Sequence, residues 1–151
     1  MTYYAVIDTN VLVSSMLKQN SIPGTIIQLI RNNLIVPLAN EEIINEYIEV
    51  LTRNKFDFDP KAIDDYIGLI KTKGIFLERE QTIEDFVDKD DIVFFEIVMS
   101  ARSTMDAYLV TGNMKHYPIR SYIVTPKEMI DIIERDNCLQ FFDKSENPKE
   151  G

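Results

Sequence analysis

Apolar positions along the chain fall into two alternating patterns. Tyr3-Tyr4-Ala5-Val6-Ile7 is a short apolar run that stops at Asp8-Thr9-Asn10, the pattern of a buried strand whose last residues emerge at a sheet edge. Leu34 to Leu38, with Pro37 near its end, Ile75 to Leu77, Ala107 to Val110 and Tyr122 to Val124 read as strands in the same way. Between them the apolar spacing is helical. Val11, Leu12, Met16 and Leu17 suggest a short helix, Ser21-Ile22-Pro23-Gly24 breaks it, and Ile26, Ile27, Leu29 and Ile30 form a second that ends near Arg31-Asn32-Asn33. Asn40 caps a helix with acids in its first turn and apolar residues at Ile44, Tyr47, Ile48 and Leu51. Asp59-Pro60 opens another, which carries Ile63, Tyr66, Ile67 and Ile70 and closes at Gly74. Val93, Phe94, Ile97 and Val98 mark a further helix, with Glu96 expected on its surface, and Pro126 to Ile133 the last. Strands that alternate with helices predict an α/β domain: a parallel sheet of four or five strands covered on both faces, with right-handed crossovers.

Composition narrows the picture. With 151 residues the chain suffices for one domain with its own core; we expect it to span 1–137, followed by a polar C-terminal tail, 138–151. Cys138 is the single cysteine, which excludes an intrachain disulfide and a cysteine-based zinc cluster and points to a reducing, cytoplasmic setting; it reads as a small apolar packing residue. No apolar run is long enough for a membrane span, and no basic region followed by an apolar stretch marks a signal peptide. The formal charge of −9 argues against a uniformly basic nucleic-acid surface, though not against a phosphate-bearing substrate. Much of the excess acid lies between Glu78 and Asp91, a stretch that reads as a solvated loop or, less commonly, a divalent-cation site.

Chemistry concentrates at the predicted carboxyl ends of strands, where the ligand crevice of an open α/β sheet lies. Asp8 stands at the first, Thr111 and Asn113 at another, and Asp90-Asp91 head a helix. Each has a plain explanation as a cap or turn residue. Glu42, Glu46 and Glu49 lie on one flank of their helix, at i, i+4 and i+7; like charges there cost stability unless water or a cation relieves them, and spacing does not say which of the three matters. If these groups meet at one edge, the carboxylates must take up a proton or a divalent cation. Mg²⁺ or Mn²⁺ suits such oxygen donors and would support phosphodiester hydrolysis.

Together, Asp8-Thr9-Asn10 after the first strand, Glu46-Tyr47 running on to Val50-Leu51 and Arg53, Asp90-Asp91, and Leu109-Val110-Thr111-Gly112-Asn113 with Lys115-His116-Tyr117 resemble the PIN-domain family, and within it the toxin components of toxin–antitoxin systems. The resemblance runs from about Thr2 to Ile133. It implies a Rossmann-like three-layer α/β/α fold and an Mg²⁺- or Mn²⁺-dependent ribonuclease acting on RNA, with an antitoxin partner and a homodimeric state. It places the catalytic positions at Asp8, Glu46, Asp91 and Asn113, the metal on Asp8, Glu46 and Asp91, and supporting hydrogen bonds on Thr9, Asn10 and Thr111, with Asp90 the alternative register for Asp91. Asn113 departs from the pattern by offering an amide where a carboxylate would add a charge. Arg53 and Lys115 are candidates for RNA phosphates. His116, the single histidine, has no orienting partner visible in sequence and reads as a surface or packing residue. A catalytically weak module that binds RNA or a partner protein is the alternative. A phosphatase is disfavoured, because Asn10 stands where such an enzyme would need its second carboxylate.

Overall fold

The computed structural model describes residues 1–86 and 88–145, with side chains through Asn137. Five strands, β1 (Tyr3–Ile7), β2 (Ile35–Ala39), β3 (Ile75–Phe76), β4 (Ala107–Val110) and β5 (Ile123–Val124), form one sheet in the order β3-β2-β1-β4-β5. Every pairing is parallel. The central strand β1 is buried along almost its whole length, as a parallel sheet packed on both faces requires.

The described residues contain six α-helices: α1 (Thr9–Leu17), α2 (Ile22–Arg31), α3 (Glu41–Leu51), α4 (Pro60–Lys73), α5 (Ile92–Arg102) and α6 (Pro126–Ser145). Their starts follow local chemistry. Ser21 Oγ accepts from the Gly24 amide at 3.1 Å, Asn40 Oδ1 from the Ile43 amide at 2.8 Å, and Asp59 Oδ1 from the Lys61 amide at 3.0 Å, each satisfying an orphan donor of a first turn. The chain moves outward from β1 through β2 to β3, then returns to β4 on the other side of β1. With right-handed crossovers, that reversal puts α5 on one face, packed on β1, β2 and β4, and α2 and α4 on the opposite face with α6 beside α2. The result is a three-layer α/β/α sandwich. Pro37 is tolerated within β2 because β3 pairs only with Leu38 and Ala39, leaving that edge open at the proline.

Two expectations change. The last helix does not stop near Ile133 but continues through Ser145, into the segment expected to be tail; residues 146–151 and the side chain of Cys138 lie outside the described residues. Glu96 is not on the surface of its helix: it is 4% exposed. The segment after β3 folds back over α5 and supplies the counter-charge, with Arg79 Nε donating to Glu96 Oε1 at 2.6 Å and the Thr82 amide to Oε2 at 2.7 Å.

The reversal of direction between β1 and β4 is the topological switch point, where a crevice opens outside the carboxyl ends of the strands. Asp8 and Thr111 are the residues that follow those two strands.

Candidate active site

Asp8 is 5% exposed and accepts two hydroxyl hydrogen bonds on Oδ2, from Thr111 Oγ1 at 2.8 Å and Tyr117 Oη at 2.9 Å. Burial pushes its carboxyl above the ordinary range, and the two hydroxyls oppose the shift. Thr111 is itself aligned, since its Oγ1 accepts from the Asn113 amide at 2.9 Å. Asn10 Oδ1 accepts from the Gly112 amide at 2.9 Å, fastening the loop after β4 to the start of α1. Gly112 leaves room for that contact, because a Cβ there would lie 3.2 Å from Asn10 Oδ1. From below, Tyr47 of α3 donates to the Ile7 carbonyl at 2.5 Å, tying the helix that carries Glu46 to the strand that carries Asp8. Thr9 makes no such supporting bond: its Oγ1 is buried without a partner.

A 3₁₀ turn, Lys89–Asp91, leads into α5 and is held by Asp88, whose Oδ1 accepts from the Asp90 amide at 2.9 Å. Asp91 is buried and Asp90 exposed. Burial, then the negative charges of Asp8 and Asp88, push Asp91 up to about 6, against the pull of His116. Of the two, Asp91 is the buried one, and the charge of Asp8 acts on it.

His116 has the partners that sequence did not reveal. Its Nδ1 lies 3.0 Å from Asp91 Oδ2 and its Nε2 3.0 Å from Asn113 Nδ2. With the Asn113 amide donating to Nε2, Nδ1 carries the proton and donates to Asp91. His116, Asn113 and Asp91 thus form a chain of hydrogen bonds ending on the carboxylate. Tyr117 is the other residue that sequence reasoning missed; an aromatic before a proline gives no sign that its hydroxyl will meet an acid 109 positions earlier.

The three glutamates of α3 part company. Glu42 pairs with Arg79 at 2.7 Å and Glu49 with Arg53 at 2.7 Å. Glu46 has no ion pair among the described residues, and burial, followed by the charges of Asp90 and Glu49, pushes it up to about 7. It shares a cleft of about 140 Å³ with Asp90, Lys89 and Arg79. The structure therefore gathers Asp8, Asp91, Thr111, Asn113 and His116 by direct contact, and places Glu46 with Asp90 in an adjoining group. Asp88 links the two, since its charge acts on both Asp91 and Glu46. Lys115 is exposed in the turn that bears His116. Arg102, at the end of α5, donates to the Ala107 carbonyl and lies over the Tyr122 ring.

The family model described as PIN domain matches residues 4–115. The chain belongs to the PIN-domain family. The matched span of this PIN domain contains Asp8, Glu46, Asp90, Asp91 and Asn113, and stops just short of His116 and Tyr117. No curated protein matches the chain. Family membership gives a nuclease-type function in general terms, and PIN domains typically use divalent metals. No helix among the described residues is long and apolar enough to cross a membrane.

The donor set suits such a metal. Asp8 and Asp91 are hard oxygen ligands, buried, linked through Thr111, Asn113 and His116 and without a Lys or Arg partner among the described residues, and the partnerless Thr9 hydroxyl at the same strand end is a polar group that ordered water would satisfy. The described residues contain no group of three or more His, Cys, Asp or Glu already gathered for a cation. Two carboxylates with retained waters and substrate oxygens is the manner in which Mg²⁺ is held.

Proposed function

We propose that this PIN domain is an Mg²⁺- or Mn²⁺-dependent endoribonuclease that hydrolyses phosphodiester bonds of single-stranded RNA, and that it serves as the toxin of a toxin–antitoxin pair. The observation that carries the catalytic reading is the pair of buried carboxylates, Asp8 and Asp91, at the switch point of the sheet, with no Lys or Arg partner among the described residues. Asp8 and Asp91 would hold the metal. Bound there, it supplies an attacking water of lowered pKa and neutralises charge on the phosphoryl oxygens. Thr111 and Tyr117 orient Asp8 by donating to Oδ2. His116 keeps its proton on Nδ1, aims Asp91 and favours its ionised form, while Asn113 fixes the imidazole tautomer. Glu46 and Asp90 extend the negative surface on which further cations and the strand's phosphates would meet. The toxin assignment, with its antitoxin partner and a homodimeric state, rests on the likeness to toxin components drawn from the motifs.

Asp8→Asn keeps the acceptor for Thr111 and Tyr117 and removes the charge. Cleavage of labelled single-stranded RNA in Mn²⁺ should fall by at least about a hundred-fold, because loss of even an outer-shell partner of a metal ligand costs ten- to a hundred-fold. Circular dichroism should show an intact fold. Undiminished cleavage by Asp8→Asn in EDTA would sink the proposal.

The second reading, a catalytically weak module that binds RNA or a protein, is favoured by one observation: the fourth site position is an amide already engaged by His116. RNA binding without cleavage in either Mg²⁺ or Mn²⁺ would support it.

A further inference from the structure

The loop joining α3 to α4, residues 52–59, borders a cavity of about 210 Å³ that the acid site does not use. Leu51 and Ile63, both buried, give it an apolar floor, and Phe58 adds an aromatic wall. Phe58 is held by a near-parallel stack on Phe56, with centroids 5.1 Å apart and planes 5° apart; the Lys55 ammonium lies 5.0 Å from the Phe56 centroid. Asp57, between the two rings, has a φ of 52°, so the conformation that stacks them carries a backbone cost for a residue other than glycine. The cavity's polar lining consists largely of acceptors, including Asn54, Asp57 and Asp64.

One cation, Arg53, lines the same cavity. It holds Glu49 through Nε at 3.2 Å and a terminal nitrogen at 2.7 Å, and its charge acts on Glu46. An exposed pair of this kind is weak, so a phosphate can replace the carboxylate on the guanidinium fork. Arg53 stands two residues past the end of α3, close enough for the charges of Glu46 and Asp90 to act on it. A strand lying on that flank therefore meets the cavity, the arginine and the acids in succession.

We infer that this cavity is a nucleobase subsite: it takes one unpaired base of the RNA strand, prefers a base with an exocyclic amino group, and uses Arg53 for the phosphate between that base and the acid site. The choice of RNA as the strand rests on the nuclease reading above. Single-stranded RNA is recognised by stacking an unpaired base on an aromatic ring and hydrogen-bonding its edge. Carboxylates accept from the amino groups of adenine, cytosine and guanine, whereas the carbonyl-rich edge of uracil faces them with like acceptors.

The test is fluorescence anisotropy with labelled oligo(A), oligo(C) and oligo(U), using the full chain carrying Asp8→Asn so that the strand is not cut. Oligo(A) and oligo(C) should bind at least about five-fold more tightly than oligo(U). Phe58→Ala should weaken all three by about five- to a hundred-fold, the range measured for loss of a stacking ring. Asp57→Asn with Asp64→Asn should erase the preference against uracil, since asparagine tolerates a positive φ. Parental affinity and preference in both variants overturn the subsite. Phe58 also packs against the core, so its variant is melted first; if it does not fold, the Asp57/Asp64 variant decides, and a retained preference overturns the subsite. Failure of the parent to bind any oligomer overturns the subsite together with the RNA reading. Intact binding that responds to these substitutions, in a wild-type protein that cleaves nothing, supports the subsite and overturns only the nuclease.

Discussion

At the scale of single residues, the site is built from acids that cost the fold stability. Asp91 titrates near 6 in the folded chain against an ordinary 3.8, so the folded state holds its proton more tightly than the unfolded state. Below about pH 4 both states are protonated and the shift has no effect. Between pH 4 and 6 the unfolded chain releases its proton first, so stability falls as pH rises, and above about 6 the full cost of the buried charge is present. Asp91→Asn removes that cost and still accepts from His116 Nδ1. In EDTA at pH 7.5 it should melt several degrees above the parent, an effect of about 2 kcal/mol once the ~3 kcal/mol of a shift of this size is discounted for solvent screening, and the gap should close by pH 4. Calorimetric melts across that range check it; a variant that melts at or below the parent at pH 7.5 would show that the acid is comfortably accommodated. The cost and the expected loss of cleavage belong to the same carboxylate, a trade-off typical of functional sites. Sequence could place Asp8 and Asp91 at element ends, which local patterns mark. It could not show that Asp91 is the buried member of its pair, because that depends on how α5 seats against β1.

At the scale of elements, α3 and α5 are joined by a residue that belongs to neither. Arg79, from the loop between β3 and α5, reaches Glu96 on α5 at 2.6 Å and Glu42 on α3 at 2.7 Å. These helices carry Glu46 and follow Asp91, so the clamp helps set the spacing of the two acidic groups. Arg79→Leu leaves Glu96 buried without its counter-ion and should cost about 3–5 kcal/mol, and adding Glu96→Gln should restore most of that loss, because the unpaired buried charge is the larger part of the penalty. Urea titrations of the single and double variants measure both terms; equal destabilisation in the two would mean that the loop's packing, not the charge, is what Arg79 supplies. The helix boundaries were legible because Asn40, Asp59 and Pro60 act locally. Glu96 was misplaced although a signal existed: Val93, Phe94, Phe95, Ile97 and Val98 surround it with apolar residues, leaving no polar face for it to occupy. Its partner in the loop had no periodic signature.

At the scale of the whole molecule, the site depends on strand order, which alternation of elements does not disclose. Asp8 meets Thr111 across 103 positions only because β4 returns to pair with β1 and not with β3. The parallel sheet and its layers were readable from patterning, and the chain's motifs pointed to the family; the hydrogen bonds of Tyr117 and His116 were not, since each arises from that one long-range pairing. The same return concentrates negative charge on a molecule that already carries −9, and this separates specific cation binding from general screening. A cation that binds the folded state alone stabilises it by mass action, by about 2.7 kcal/mol at a hundred times its dissociation constant. Mn²⁺ should therefore raise the melting temperature of the parent by several degrees beyond the effect of NaCl at the same ionic strength, which acts only by screening. Asp8→Asn should keep the NaCl response and lose most of the Mn²⁺ increment, because the screened surface charge is nearly unchanged while a ligand is gone. Equal Mn²⁺ increments in parent and variant would place the cation on the outer acids, such as Glu46 and Asp90, and remove Asp8 from its binding.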